Sequence, residues 1–179
     1  MKIIRNSLES ELNLRTEKDF PTKGIEFIDI NPLIIQKEVF NEIINRFVEY
    51  LKDSKIDYIV APESRGFLFG SVIARELNIG FIPVRKKGKL PPTTVVKSFE
   101  YEKEYGKDYL ELPKLVNEEY KNKTFFIIDD IYATGNTIRS IKNAISELKG
   151  KVIGVGAVLN IIELNNDENV FSLIEVNEE

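Results

Sequence analysis

Residues 38–52 carry apolar side chains at the i, i+3, i+4 spacing of a helix that buries one face. The apolar positions are Val39, Phe40, Ile43, Ile44, Phe47, Val48 and Leu51. A short run that favours a strand follows at 56–61, then a second helical stretch at 66–77 and another apolar run at 81–85. Strands that alternate with helices predict a parallel α/β sheet.

The same alternation returns later in the chain. Residues 124–128 predict a strand, 137–148 a helix and 151–159 a further strand. These strands are almost continuously apolar, which is typical of a sheet covered on both faces. We therefore predict an α/β fold, a central and mostly parallel sheet flanked by helices, in a single domain over residues 1–179.

A polar excursion separates the two halves. Residues 94–102 and 108–112 predict two strands around the glycine-containing turn 103–107. Connections of this length are usually functional, so we expect a flexible β-flap over residues 94–112.

Composition narrows the possible chemistry. The net charge is −4, and the chain has no cysteine and no histidine. A bulk attraction to nucleic acid or an anionic membrane is therefore not expected, and thiol or imidazole catalysis is excluded. No apolar run approaches the length of a membrane span, and the N-terminus lacks the pattern of a signal peptide. We expect a cytoplasmic protein.

The strongest motif is the run FFIIDDIYATGNT at 125–137, where a buried strand is predicted to stop at paired acids. Asp129 and Asp130 would lie at the carboxyl edge of the sheet, where they can accept hydrogen bonds from two sugar hydroxyls. The small-residue loop that follows can direct backbone N–H groups and two threonine hydroxyls at an anion beside a helix N-terminus. Its residues are Ala133, Thr134, Gly135, Asn136 and Thr137. Together these features predict a ribose 5-phosphate site.

A purely structural interpretation of this motif remains, in which the acids precede a helix cap and the Thr-Gly pair is only a turn.

Other nucleotide-binding motifs are absent from the sequence. There is no G-x-x-x-x-G-K-[ST], and Gly154 and Gly156 lie inside an apolar strand instead of at a strand-to-helix turn.

The run at 125–137 resembles the phosphoribosyl pyrophosphate motif of the type I phosphoribosyltransferases. Four further segments narrow the resemblance to the adenine-specific members of that family. They are FPTKGIEFIDINP at 20–32, ESRGFLFG at 63–70, RKKGKLP at 85–91 and EYG at 104–106. The resemblance covers most of the chain in the family's order, and it implies an N-terminal hood segment over residues 1–35.

Two clusters are candidates for pyrophosphate binding. Ser64 and Arg65 lie between a predicted strand and a helix, where backbone N–H groups and a guanidinium can meet an anion. Arg85, Lys86 and Lys89 follow the next strand and can stabilise a departing diphosphate. A run of charges on a loop is more often a solvated surface, but its position after a parallel strand favours a role in binding. The resemblance implies an unusual peptide conformation at the Glu63–Ser64 junction.

The resemblance also implies the adenine site and the acid/base residue. Phe27 offers a face on which a base can stack, although it could equally be a core residue, and main-chain groups near Glu26 and Ile28 would read the base edge. Ile28 stands where the family usually has arginine, and Glu26 where it usually has an apolar residue. Glu104 matches the family's proton-handling glutamate. The flap is two residues longer than the family pattern, so Glu100 or Glu102 could be mistaken for it.

The activity implied is transfer of a phosphoribosyl group from phosphoribosyl pyrophosphate to N9 of adenine, which gives AMP and pyrophosphate. Mg²⁺ would arrive bound to phosphoribosyl pyrophosphate, with no direct protein ligand, and the family implies a homodimer with no nucleic-acid or membrane partner. Two alternatives remain: a transferase for another purine, and a non-catalytic regulator that senses phosphoribosyl pyrophosphate. The acidic chain has no basic stripe for nucleic acid and keeps Glu104, which disfavours the regulator.

Overall fold

The computed structural model describes residues 1–8, 12–20, 22–103, 106–165, 167 and 169–177. The strands in these ranges are β1 (Lys2–Asn6), β2 (Arg15–Lys18), β3 (Glu26–Asp29), β4 (Tyr58–Pro62), β5 (Gly80–Lys86), β6 (Val95–Lys103), β7 (Gly106–Pro113), β8 (Thr124–Tyr132), β9 (Lys151–Ile161) and β10 (Val170–Asn177). The α-helices are α1 (Asn31–Ile35), α2 (Lys37–Leu51), α3 (Gly66–Glu76) and α4 (Asn136–Glu147). Short 3₁₀ turns lie at Pro92–Thr94 and Ile162–Leu164.

The central sheet has the strand order β1-β10-β9-β8-β4-β5-β7-β6. The five strands from β10 to β5 pair in parallel, and the antiparallel strands β1, β7 and β6 lie towards the two edges. A separate two-stranded sheet joins β2 to β3. The predicted α/β class with a mostly parallel central sheet is therefore confirmed.

Helices cover both faces of this sheet. On one face, Phe47 of α2 and Phe69 of α3 share a core cluster with Phe126 and Ile128 of β8. On the other face, the α4 residues Ile138, Ile141 and Ile145 pack in a cluster with Phe125 and Ile127. Successive residues of β8 thus enter opposite cores, as the side-chain period of a strand requires. This arrangement confirms the prediction from the continuously apolar strands.

The end of β8 corrects one prediction. The strand does not stop before the paired acids but continues to Tyr132. Its parallel ladder with β9 includes the pairs Asp129 with Ala157, Ile131 with Leu159 and Tyr132 with Asn160. Because these pairings hold the backbone extended, both aspartates belong to the strand itself and not to the loop after it.

The hairpin of β6 and β7 is also longer than predicted. The two strands are paired up to Lys103 and Gly106, so most of the turn predicted at 103–107 is strand. β7 pairs with β5 through Arg85 with Glu111 and Lys86 with Leu110, which attaches the hairpin to the central sheet. An ion pair between Lys97 and Glu147 joins β6 to α4. None of the helices in the described ranges is long and apolar enough to cross a membrane.

Candidate active site

A cavity of about 290 Å³ opens at the carboxyl end of β8. Asp129 and the predicted phosphate loop, residues 133–137, form much of its wall. Glu102 of the β6–β7 hairpin also lines it. The structure thus brings the hairpin, one of the paired acids and the phosphate loop around one space at the sheet edge where α/β folds bind ligands.

The phosphate loop turns sharply at Gly135, which has a φ of 74° and precedes the first residue of α4. A side chain there would be strained by this left-handed conformation, and its Cβ would lie 2.7 Å from Tyr132 Cζ. Gly135 has no side chain that could cap the helix, and among the described residues the Asn136 N–H makes a long contact of 3.5 Å to Thr134 Oγ1. The next N–H groups of the first turn of α4 are available to an anion.

The two predicted ribose ligands have different surroundings. Asp129 is half-buried, and its Oδ1 accepts the backbone N–H of Asp130 at 2.9 Å. A Cβ at Gly66 would lie 2.9 Å from the same oxygen, so the absent side chain lets the start of α3 approach this carboxylate. Burial, and then the charge of Asp130, raise the pKa of Asp129 well above its ordinary value. Of the two aspartates, only Asp129 lines the cavity.

Asp130 is buried and faces Arg65. The Arg65 Nε atom lies 2.8 Å from Asp130 Oδ2, an oxygen that otherwise lacks a hydrogen bond from the described residues. The same guanidinium lies 5.3 Å from the centre of the Phe27 ring and donates from Nη1 to the Ile28 carbonyl at 3.4 Å. Arg65, predicted to bind pyrophosphate, therefore connects one of the predicted ribose ligands, Asp130, with the predicted adenine segment.

The predicted pyrophosphate loop has an unusual backbone, because the peptide bond between Glu63 and Ser64 is cis. Ser64 is exposed there. Glu63 accepts hydrogen bonds at Oε2 from Arg85 Nε at 3.0 Å and from the Lys86 N–H at 2.9 Å. Burial opposes its ionisation, but these bonds and the Arg85 charge lower the pKa of Glu63 overall. Glu63 thus holds Arg85 and Lys86, at the start of the basic turn that follows β5, beside this loop.

The basic turn at 86–89 is exposed. Lys87 lies over the Tyr109 ring, with its Nζ atom 4.6 Å from the ring centre. Lys86 and Lys89 make no ion pair with the described residues, so both are available to an anion. The buried Glu111 accepts the Gly88 N–H at 3.2 Å, which joins this turn to β7.

The predicted adenine segment forms β3. Phe27 is half-buried and meets Phe20 edge-on, with ring centres 5.1 Å apart. Ile28 is 5% exposed, so its side chain belongs to the core and only its main chain can face a ligand. The Glu26 carboxylate lies 3.9 Å from the N-terminal ammonium of Met1.

The predicted acid/base residue, Glu104, lies outside the described residues. Glu102 is described, and it lines the cavity. Glu100 lies elsewhere and bonds to Lys107 and Tyr109.

Several residues around the site were missed from the sequence. Glu63 anchors Arg85, and the side chains that support the phosphate loop are Tyr132, Arg139, Asn165 and Asp167. Most of these contacts join segments that are distant in the sequence, so no local sequence pattern predicts them. Of these residues, only Tyr132 lies inside the motif at 125–137 and could have been identified from the sequence. Within the described part of the chain, no three acidic side chains come together as a metal site.

This chain is similar to proteins of one known family. The model of the phosphoribosyl transferase domain matches residues 31–172. The adenine phosphoribosyltransferase of Clostridium acetobutylicum is 42% identical over 170 residues, which cover 92% of this chain and 96% of that protein. The solved adenine phosphoribosyltransferase of Thermoanaerobacter pseudethanolicus is 39% identical with a TM-score of 0.82, covering 91% of this chain and 95% of that one.

A third relative was solved with ligands. The Saccharomyces cerevisiae adenine phosphoribosyltransferase, complexed with an imino-altritol bisphosphate and adenine, is 36% identical with a TM-score of 0.76, covering 89% of this chain and 93% of that one. The family model matches most of the chain, and this chain belongs to the phosphoribosyl transferase family, among its adenine phosphoribosyltransferases.

Proposed function

We propose that this protein transfers the 5-phosphoribosyl group of phosphoribosyl pyrophosphate to N9 of adenine and releases AMP and pyrophosphate, a reaction of purine salvage. The observation that carries the proposal is the cavity in which Asp129 meets the N-terminus of α4 and the loop before it. This pairing supplies acceptors for ribose hydroxyls beside donors for a phosphate. The Trypanosoma brucei adenine phosphoribosyltransferase, 26% identical to this chain, was solved in complex with AMP, pyrophosphate and ribose-5-phosphate.

The 5-phosphate docks on residues 133–137, and Asp129 and Asp130 hold the ribose. Positive charge develops on the sugar as its bond to diphosphate lengthens, and the two carboxylates stabilise that charge. The ion pair with Arg65 keeps Asp130 at the edge of the site. Held in this geometry, the anomeric carbon is presented to the incoming base.

The leaving diphosphate meets the Ser64 loop and the basic turn. The side chains of Lys86 and Lys89 are exposed and make no ion pair within 4 Å among the described residues, so both can interact with the departing diphosphate. Glu63 holds Arg85 and the Lys86 backbone beside the Ser64 loop. Arg65 and Arg85 add positive charge next to the Ser64 loop and the basic turn.

Adenine stacks on Phe27, and main-chain groups at Glu26 and Ile28 read its edge. The Arg65 guanidinium now faces that ring, so base and guanidinium must share or exchange this surface. Glu104 handles the base proton while the β6–β7 hairpin, acting as a flap over residues 94–112, excludes water from the activated sugar.

The remaining proposals concern context. We propose one domain over residues 1–179, with residues 1–35 as a hood over the base, working in the cytoplasm as a homodimer. Mg²⁺ enters with phosphoribosyl pyrophosphate as part of the substrate, where it neutralises diphosphate charge. One of the two nearby aspartates, Asp130, is already ion-paired with Arg65.

The test is pyrophosphate release from phosphoribosyl pyrophosphate and Mg²⁺ with adenine, hypoxanthine, guanine, xanthine or orotate as the acceptor base. Turnover with adenine and not with the 6-oxo bases is expected. Turnover with hypoxanthine, guanine or xanthine instead would assign the enzyme to another purine. Tight binding of phosphoribosyl pyrophosphate without turnover on any base would favour a regulator.

A further inference from the structure

Two backbone carbonyl groups of the phosphate loop accept hydrogen bonds from side chains outside the loop. Asn165 donates from Nδ2 to the Ala133 carbonyl at 2.8 Å. Arg139 donates from Nη2 to the Thr134 carbonyl, also at 2.8 Å. A loop that binds an anion must turn its N–H groups inward and its carbonyl oxygens away, because a carbonyl facing a phosphate would repel it. These two donors act on consecutive carbonyls at the point where the loop begins.

Asn165 ties the loop to the end of β9. Its Nδ2 atom also lies 2.9 Å from the Ile161 carbonyl oxygen and 3.0 Å from Asn160 Oδ1. Asn160 is 5% exposed and pairs with Tyr132 in the parallel ladder, so this anchor belongs to the rigid sheet. The position of the Ala133 carbonyl is therefore set by the central sheet and does not depend on the loop alone.

Arg139 has a comparable support on the other side. Its Nη2 atom donates to Asn136 Oδ1 at 2.6 Å, and Nη1 lies 3.4 Å from Asp167 Oδ2. Asp167 also accepts the Tyr132 hydroxyl proton, and its backbone N–H donates to Asn165 Oδ1 at 3.2 Å. Asn165 and Asp167 thus link both donors into one network around the loop.

We infer that Asn165 and Arg139 are positioning residues for the 5-phosphate: they hold the Ala133 and Thr134 carbonyls away from the cavity, so that the loop presents only donors to the anion. The inference rests on the proposed function, since it assigns the 5-phosphate to residues 133–137. Both residues act through the loop backbone, and their effect is confined to the phosphate end of the substrate. Binding of pyrophosphate and adenine does not depend on them.

The test uses the full chain with two variants. Asn165→Leu keeps the approximate size without adding charge, and Arg139→Lys keeps the charge but loses the forked donor. The matched controls are Asn169→Ala, an exposed asparagine close to Asn165 in the chain, and Arg75→Lys, an exposed arginine of α3 paired with Glu76. Calorimetry gives the dissociation constants of ribose 5-phosphate and of pyrophosphate, and steady-state kinetics give KM for each substrate and kcat. Thermal unfolding reports whether each variant is folded.

For both variants we expect the Kd of ribose 5-phosphate and the KM for phosphoribosyl pyrophosphate to rise about fivefold to tenfold, the value of one good hydrogen bond. The Kd of pyrophosphate and the KM for adenine should not change, and the control variants should keep all the wild-type values.

Folded variants that bind ribose 5-phosphate like the wild type, or that lose affinity for all three ligands equally, would overturn the inference. If Asn165→Leu does not fold, Arg139→Lys decides, because its side chain is half exposed. A wild type that does not bind ribose 5-phosphate at all would overturn the proposed function itself, and the inference with it.

Discussion

Arg65 Nε lies 2.8 Å from Asp130 Oδ2, and this ion pair connects the segment before α3 with the end of β8. Asp130 is only 5% exposed, so its charge has lost most of its hydration, whereas the Arg65 side chain is 39% exposed. The aspartate therefore depends on the arginine more than the arginine depends on the aspartate.

This asymmetry predicts the effect of Arg65→Ala. Removing the guanidinium leaves a buried carboxylate without its counter-charge, and we expect a loss of about 2 kcal/mol after allowance for solvent at the arginine. Asp130→Asn should cost less, and the double variant less than the sum of the two. Urea unfolding of the four proteins measures this cycle. Strictly additive losses would mean that the pair contributes no coupling energy.

The acid/base assignment can be tested by substituting two glutamates of the hairpin. Glu104→Gln should lower kcat by about 100-fold or more, the usual scale for loss of a positioned proton donor or acceptor. Glu102→Gln is the matched control, because it makes the same change two residues away on a side chain that lines the cavity. Rates of AMP formation at saturating substrate give the comparison. If Glu102→Gln shows the large loss and Glu104→Gln does not, the proton-handling role passes to Glu102.

Gly135 should tolerate no side chain. Its φ of 74° strains any L-residue, and a new Cβ would also collide with the Tyr132 ring. We expect Gly135→Ala to cost about 3 kcal/mol and to weaken phosphoribosyl pyrophosphate binding strongly. Gly24 provides the control, since its φ is 92° but a Cβ added there would meet nothing within 4 Å among the described residues.

Gly24→Ala should therefore show the backbone strain alone, about 1 kcal/mol, with an unchanged KM for phosphoribosyl pyrophosphate. Denaturant melts and KM for phosphoribosyl pyrophosphate distinguish the two glycines. Equal losses at both positions would show that the Tyr132 contact adds nothing.

Local patterns predicted the elements that form the centre of the site. The α2 stripe and the strand-loop-helix run at 125–137 are set by neighbours in sequence, so their spacing carries the information. The small residues around Gly135 placed the start of α4 at residue 137, one residue after its observed start at Asn136. The mostly parallel sheet followed from alternating strands and helices, because parallel strands need crossover connections.

What was missed depends on contacts between distant segments. β1 is exposed along its whole length and exists through its pairing with β10, so Lys2–Asn6 shows no alternating pattern. The end of β8 was placed too early because aspartates are unusual in strands, yet the ladder with β9 keeps them extended. Asn165 reaches Ala133 from 32 positions away, a relation that spacing in one sequence does not reveal.

Asp57, the residue before β4, leads to a prediction about how stability depends on pH. Asp57 Oδ2 accepts the Thr124 N–H at 2.7 Å and the Thr124 hydroxyl at 2.8 Å, which ties β8 to the residue before β4. The backbone bond from Thr124 is the main cause of a lowered pKa at Asp57. A carboxyl whose pKa is lower in the folded state stabilises the fold above its unfolded value of about 4, and this stability is lost as the pH falls through the folded pKa.

We therefore expect Asp57→Ala to cost about 1 kcal/mol near neutral pH, a modest value because the residue is exposed. The difference from the wild type should stay constant from pH 8 to about pH 5 and shrink below about pH 4. Urea melts across this range measure it, with the exposed Asp53→Ala at the end of α2 as the control. If the difference in the free energy of unfolding between wild type and Asp57→Ala grew as the pH fell, the prediction would be wrong. The bond between Asp57 and Thr124 would then stabilise the fold through the protonated carboxyl group of Asp57, and not through the carboxylate.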